Sequence, residues 1–170
     1  MKSVSLQNYD ETTSLKGGTS LNRRIGIIGS LAPMRNNITV DIMKAGRIVQ
    51  PIRGLRLICS GAVTIRNYTF DVPMIMWDTG ATESAVFLKD PIRKICSDPE
   101  DRGLIWTATR SLDEVLYYPG KIDILGKISV SLSWIDVIDA QPEFADVILG
   151  MDVISKGKLT VCDEEFSFEV

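Results

Sequence analysis

Three features of the 170-residue chain predict an all-β domain. Ile128, Val130, Leu132 and Trp134 alternate with Lys127, Ser129, Ser131 and Ser133, the period of two of a half-buried strand with one face toward a core. Short β-branched and aromatic runs recur along the chain, punctuated by Gly, Asn and Asp. No segment carries the sustained amphipathic period of a bundle helix, and no repeat of solenoid length is present.

The elements follow in chain order. Residues 1–22 are rich in Ser, Thr, Gly and Asn, with too little apolar surface to offset the entropy of ordering, and residues 1–36 read as a flexible N-terminal extension. Within it, Gly26-Ile27-Ile28-Gly29-Ser30 lacks the third glycine and the lysine of a phosphate-cradling loop and reads as linker. Residues 37–170 form the domain. Ile38, Val40 and Ile42 alternate with polar positions; residues 55–58, 62–65 and 68–76 are further strands, separated by Gly54, by Ser60-Gly61 and by Asn67. Two helical pieces are predicted, residues 84–95 interrupted by Pro91, and a short turn at 151–155. Residues 104–109 and 115–118 flank a polar tip at Arg110 and Ser111, and Gly120 and Gly126 bound the strands around 127–134. Residues 158–162 and 166–170 close the chain, set off by Gly157 and Asp163-Glu164.

Composition excludes several classes of function. The chain has no histidine, which removes Ser-His-Asp and Cys-His nucleophile pairs, histidine-ligated zinc and imidazole general-base chemistry. Three separated cysteines, Cys59, Cys96 and Cys162, indicate neither a disulfide framework nor a zinc site, so no metal or cofactor is expected and a reducing, cytoplasmic compartment is. The net charge is −3. Of 19 Lys and Arg and 22 Asp and Glu, the first 35 residues hold five and two, which leaves 14 and 20 in the remainder, net −6. A domain so acidic is not built to neutralise phosphates, and nucleic acid is not an expected partner. No apolar run approaches the roughly 20 residues of a membrane-spanning helix, so no membrane is expected. Arg23-Arg24 before residues 25–34 has the outline of a twin-arginine leader, but two glycines and a proline dilute the stretch and no small-residue cleavage site follows.

The chemistry is carried by Met76-Trp77-Asp78-Thr79-Gly80-Ala81-Thr82, where an apolar strand runs directly into Asp-Thr-Gly. Gly80 permits a tight turn and Thr79 offers a hydroxyl to lock it, so such a loop holds one carboxylate rigidly in a cleft. The same string also suits an ordinary turn after a strand. A second motif, Ala145-Asp146-Val147-Ile148-Leu149-Gly150-Met151-Asp152, lies 72 residues from Asp78 to Gly150.

Taken together, the Asp-Thr-Gly-Ala loop and the strand ending in two apolar residues and Gly before a short helix resemble the retroviral-type (retropepsin-like) aspartic proteases and their bacterial and eukaryotic relatives. The resemblance spans roughly residues 37–170. It implies a retropepsin-like acid-protease barrel with a flap hairpin and one short C-terminal helix, working as a homodimer on peptide or protein substrates. It implies that Asp78 is the catalytic carboxylate, that Thr79 braces the loop against its partner, that Gly80 permits the turn before Ala81, and that Ile148, Leu149 and Gly150 thread beneath the loop. It places Trp106, Thr107, Ala108 and Thr109 on the flap over the substrate. Trp106, Tyr117 and Tyr118 are candidates to line the cleft, although aromatics at strand spacing equally suit core packing. Many viral members carry an acidic residue where Thr82 stands, and the tip here has Thr109-Arg110-Ser111 in place of a glycine cluster.

Hydrolysis by this route needs two carboxylates sharing one proton, because like charges about 3 Å apart do not both ionise. Only one Asp-Thr-Gly loop exists here. Asp152 is not followed by Thr/Ser-Gly, so a helix-start or surface role is expected of it, and the second carboxylate is then Asp78 of another copy. Phe166, Phe168 and Val170 form an alternating face that pairs either across such a dimer or within the chain. The alternative from another class is a non-catalytic dimerisation or peptide-binding module on the same fold.

Overall fold

The computed structural model describes residues 28–30, 38–87, 98–106, 112–138 and 145–170. Among the described residues the strands are β1 (Ile28–Ser30), β2 (Val40–Lys44), β3 (Arg47–Pro51), β4 (Ile58–Ile65), β5 (Tyr68–Trp77), β6 (Ala85–Phe87), β7 (Asp101–Trp106), β8 (Leu112–Ile124), β9 (Ile128–Ile138), β10 (Val147–Leu149), β11 (Lys158–Cys162) and β12 (Glu165–Glu169), with a helix, α1 (Met151–Ile154). The expected all-β class is what the chain adopts. Strands β8, β4, β5, β10, β6 and β9 pair in that order and β9 returns to β8, so six strands close a barrel with no free edge. Strand β7 extends outward from β8 as the other half of a hairpin stem, and β2 lies outside β9. Strands β11, β12 and β3 form a second, three-stranded sheet.

The strongest sequence pattern holds for half its length. Ile128, Val130 and Leu132 are buried as the alternation predicts, but the β8–β9 register slips between Tyr118 and Gly120, whose partners are Ile135 and Leu132. The extra residue on β9 shifts the phase, and Ile135 and Val137 take over the barrel interior. Trp134 is thereby turned to the other side, where it packs edge-on against Tyr117 with ring centroids 6.3 Å apart. Tyr117 and Tyr118 are buried, so these two candidate cleft aromatics are core residues.

Several expected elements differ. Residues 55–58 are largely a turn: Gly54 and Leu55 both take left-handed φ, 56° and 65°, between the bridged Arg53 and Arg56, and Leu55 is 95% exposed. Apolar character at Leu55 favours a strand, but two consecutive left-handed residues reverse the chain there. Ser60-Gly61 does not separate strands but lies inside β4, opposite a bulge whose extra residue is on β5 between Val72 and Ile75. Residues 85–87, expected to begin a helix, form β6, because β9 and β10 offer backbone partners on both of its edges; the rest of that expected helix, 88–95, lies outside the described residues. Ile28–Ser30, read as linker, adds as β1 to the outer edge of β7.

The closing strand β12 pairs with β11 on one edge and β3 on the other, so of the two expectations the intrachain pairing is the one observed. Phe166 and Phe168 point into the barrel core against Trp77. Most of the large apolar side chains form one cluster inside the barrel, while Ala81, Ala85, Phe87, Val115, Tyr117, Ile138, Ala145 and Ile148 form a smaller one, packed by Met76 and Trp134. Among the described residues no helix is long and apolar enough to cross a membrane.

Candidate active site

Asp78 is placed by the end of β5. The parallel pairing of β10 with β5 sets Ile148 beside Met76 and Leu149 beside Trp77, and the Asp78 N–H then donates to the Leu149 carbonyl at 3.0 Å. Ile148 also pairs with Ala85 of β6, so β10 is threaded between the strand that carries the carboxylate and the strand that leaves its loop. Leu149 thus holds the Asp78 N–H through its carbonyl, Ile148 shares a buried apolar cluster with Ala81, and Gly150 lies against Glu83 and Ser84. Leu149 and Ala81 are fully buried, whereas Thr79 and Gly80 are exposed.

Within the loop, the Gly80 N–H donates to Asp78 Oδ1 at 2.8 Å and the Ala81 N–H to the Asp78 carbonyl at 3.1 Å. Asp78 is half-buried; its Oδ2 is shielded from solvent and accepts no hydrogen bond among the described residues. The expected reason for Gly80 changes. Its φ is not left-handed; instead a Cβ there would lie 3.1 Å from Asp78 Oδ1, so glycine leaves the backbone N–H room beside the carboxylate. Gly150 is fixed by close approach, since its Cβ would fall 2.5 Å from the Glu83 backbone. The Thr79 hydroxyl makes no hydrogen bond among the described residues.

A polar cluster that the sequence did not reveal joins the two loops. The Ser84 N–H donates to Asp152 Oδ2 at 2.9 Å and the Ser84 hydroxyl to Asp152 Oδ1 at 2.7 Å, while the Gly150 N–H donates to Ser84 Oγ at 3.0 Å. Met151 and Asp152 N–H groups donate to the Ala81 and Thr82 carbonyls at 2.8 and 3.1 Å. Asp152 lies in the first turn of α1 and does not cap it, since Gly150 is the N-cap and no side chain caps the helix; its Oδ1 also accepts the Val153 N–H at 2.8 Å, and it is half-buried against Ser84. The signal available in sequence was a small polar residue inside an apolar run, Ser84 before Ala85-Val86-Phe87 and Asp152 before Val153-Ile154. At the other end of β10, Asp146 is buried and its Oδ2 accepts the Met74 N–H at 3.0 Å, anchoring the strand.

Burial pushes the Asp152 carboxyl above the ordinary carboxylate range, with the hydrogen bonds from Ser84 acting in the opposite direction. The native state then holds this proton to higher pH than the unfolded state does. Its stabilising contribution is complete below the ordinary Asp value of about 4 and declines as pH rises through the native value. Asp152→Asn, which does not ionise, is expected to lack that decline. Thermal unfolding followed against pH should show the melting-temperature gap between variant and wild type moving in the variant's favour as pH rises from about 4; a constant gap would contradict the assignment.

Cys59 is a buried thiol raised to about 11 by desolvation, with the Trp77 indole N–H donating to its sulfur at 3.3 Å; Cys162 is exposed, and both are free. Among the described residues no cluster of Cys, Asp and Glu is arranged to hold a metal ion. The flap residues expected to cover substrate are not brought into the site by any observation: Trp106 ends β7, and Thr107, Ala108 and Thr109 lie outside the described residues.

No protein-family model matches the chain, and no curated protein matches it in sequence. Among solved structures it is similar to a retropepsin-like aspartic protease from Rickettsia conorii, at 18% identity over 78% of this chain and 93% of that one, with a TM-score of 0.45.

Proposed function

We propose that the chain is an aspartic endopeptidase that hydrolyses peptide bonds in extended polypeptide segments as a homodimer, with water activated between two Asp78 carboxylates, one from each copy. The observation that supports this reading is the Asp78 loop. One carboxylate oxygen is oriented by the Gly80 N–H at 2.8 Å, and the other is shielded and accepts no hydrogen bond among the described residues. A shielded carboxylate oxygen without a hydrogen bond is unfavourable by about 1–3 kcal/mol, and a proton shared with a second carboxyl satisfies it. One copy of the loop supplies one carboxylate, and a twofold axis through the exposed Thr79 and Gly80 brings a second beside it.

In the reaction, one Asp78 in its ionised form takes a proton from the attacking water, and its protonated partner donates to the carbonyl oxygen of the scissile bond. The pair then exchanges roles as the tetrahedral intermediate collapses and the amine leaves with a proton. The substrate binds as an added strand, its backbone supplying affinity and alternate side chains preference, with Trp106, Thr107, Ala108 and Thr109 as the substrate-binding residues of the flap. Thr79 braces one loop against the other copy's. With free thiols at Cys59 and Cys162, a reducing cytoplasmic location fits this reading.

The test is cleavage of an unfolded protein across acid to neutral pH. Cleavage blocked by pepstatin, with specific activity rising with protein concentration as dimers form, is the expected result. Specific activity that stays constant down to concentrations at which sedimentation shows only monomer would remove the shared site.

A further inference from the structure

Ser84 and Asp152 lie outside the Asp-Thr-Gly loop, yet they tie the segment that leaves that loop to the turn at Gly150. Asp152 grips Ser84 twice, through its N–H at 2.9 Å and its hydroxyl at 2.7 Å. The Ser84 hydroxyl in turn accepts the Gly150 N–H at 3.0 Å, and the preceding residue, Leu149, supplies the carbonyl that holds the Asp78 N–H at 3.0 Å. Ser84 is 1% exposed, so its own side of these bonds is closed to water. A buried serine whose oxygen donates to a carboxylate and accepts from a backbone N–H has little freedom to rotate.

We propose that Ser84 and Asp152 are positioning residues that clamp the Gly150 turn to the Asp78 loop and thereby set the orientation of the Asp78 carboxylate. The role in turnover rests on the endopeptidase reading; the orientation of the carboxylate does not. Ser84→Ala removes the hydroxyl, which leaves the Gly150 N–H without its acceptor and Asp152 Oδ1 with the Val153 N–H as its remaining donor. The β10–β5 ladder still holds Leu149 in register, so the loop stays folded but loses its fixed angle to the turn. Misplacement of a reacting group by a fraction of an ångström lowers turnover more than binding, because the substrate strand is held along the cleft by other contacts.

The experiment compares wild type, Ser84→Ala, Asp152→Asn and Ile65→Val, a barrel-core change at the end of β4 remote from Asp78 that serves as a control for destabilisation alone. Two quantities are read: kcat and KM on a peptide substrate, and the pH titration of the Gly80 amide resonance, which reports Asp78 directly because that N–H donates to Oδ1. Ser84→Ala and Asp152→Asn are expected to lower kcat about 10-fold with KM within about twofold, and to shrink the Gly80 titration, while Ile65→Val changes neither. Wild-type kcat and an intact Gly80 titration in both clamp variants would overturn the proposal and leave the endopeptidase reading standing. If the wild type cleaves no peptide, the Gly80 titration alone decides: a smaller titration supports the clamp while the endopeptidase reading fails, and an unchanged one overturns the clamp. Where Ser84→Ala does not fold, Asp152→Asn, which keeps the side-chain shape, carries the test.

Discussion

Asp78→Asn is expected to abolish peptide hydrolysis, a loss of at least about 10³-fold. Asparagine preserves the shape of the side chain and its oxygen still accepts the Gly80 N–H seen at 2.8 Å, so the loop keeps its fold. What is lost is the ability to exchange a proton with the partner carboxyl. Mixed dimers sharpen the expectation. In a site built from one Asp78 of each copy, a single asparagine inactivates the dimer, so adding excess variant to a fixed amount of wild type should lower activity per wild-type chain in proportion to the wild-type fraction. Steady-state cleavage measured over such a titration checks both points. Activity surviving in the pure variant would sink Asp78 as the catalytic carboxylate, and activity indifferent to added variant would sink the shared site.

Phe168→Ala is expected to destabilise the fold by about 3–5 kcal/mol, the cost of removing a large aromatic ring from a site that does not collapse. Phe168 is fully buried, and its ring lies 4.6 Å, centroid to centroid, from Trp77, the residue immediately before Asp78. Because β12 has both edges occupied by β11 and β3 of the same chain, the loss should not depend on protein concentration. Denaturant unfolding at two concentrations measures it. A loss below about 1 kcal/mol would place the ring outside the core, and a strong concentration dependence would return β12 to the dimer interface.

Legibility in the sequence followed the range of the interaction responsible. Runs bounded by turn residues marked β5, β11 and β12 to within a residue, and the alternation marked the first part of β9, where a half-buried strand writes its burial into every second position. The same rule failed at Leu55, where left-handed φ turns an apolar residue outward, and at Trp134, where a slip in register with β8 reverses the face. Ser84 escaped notice because its partner, Asp152, is 68 residues away.

The sequence by itself determined the all-β class, the absence of any histidine chemistry, and the two segments in which the candidate site is built, Asp78-Thr79-Gly80-Ala81 and Ile148-Leu149-Gly150. These are properties of local composition, spacing and turn chemistry. Only the tertiary structure decided that β10 lies parallel to β5 so that Leu149 holds the Asp78 N–H, that glycine at position 150 answers to the backbone of Glu83, that Ser84 and Asp152 lock the two loops together, and that Phe166 and Phe168 belong to the chain's own core. Each is a contact between segments distant in sequence, set by closure of the barrel, and a closed sheet chooses partners through register and packing that no single segment encodes.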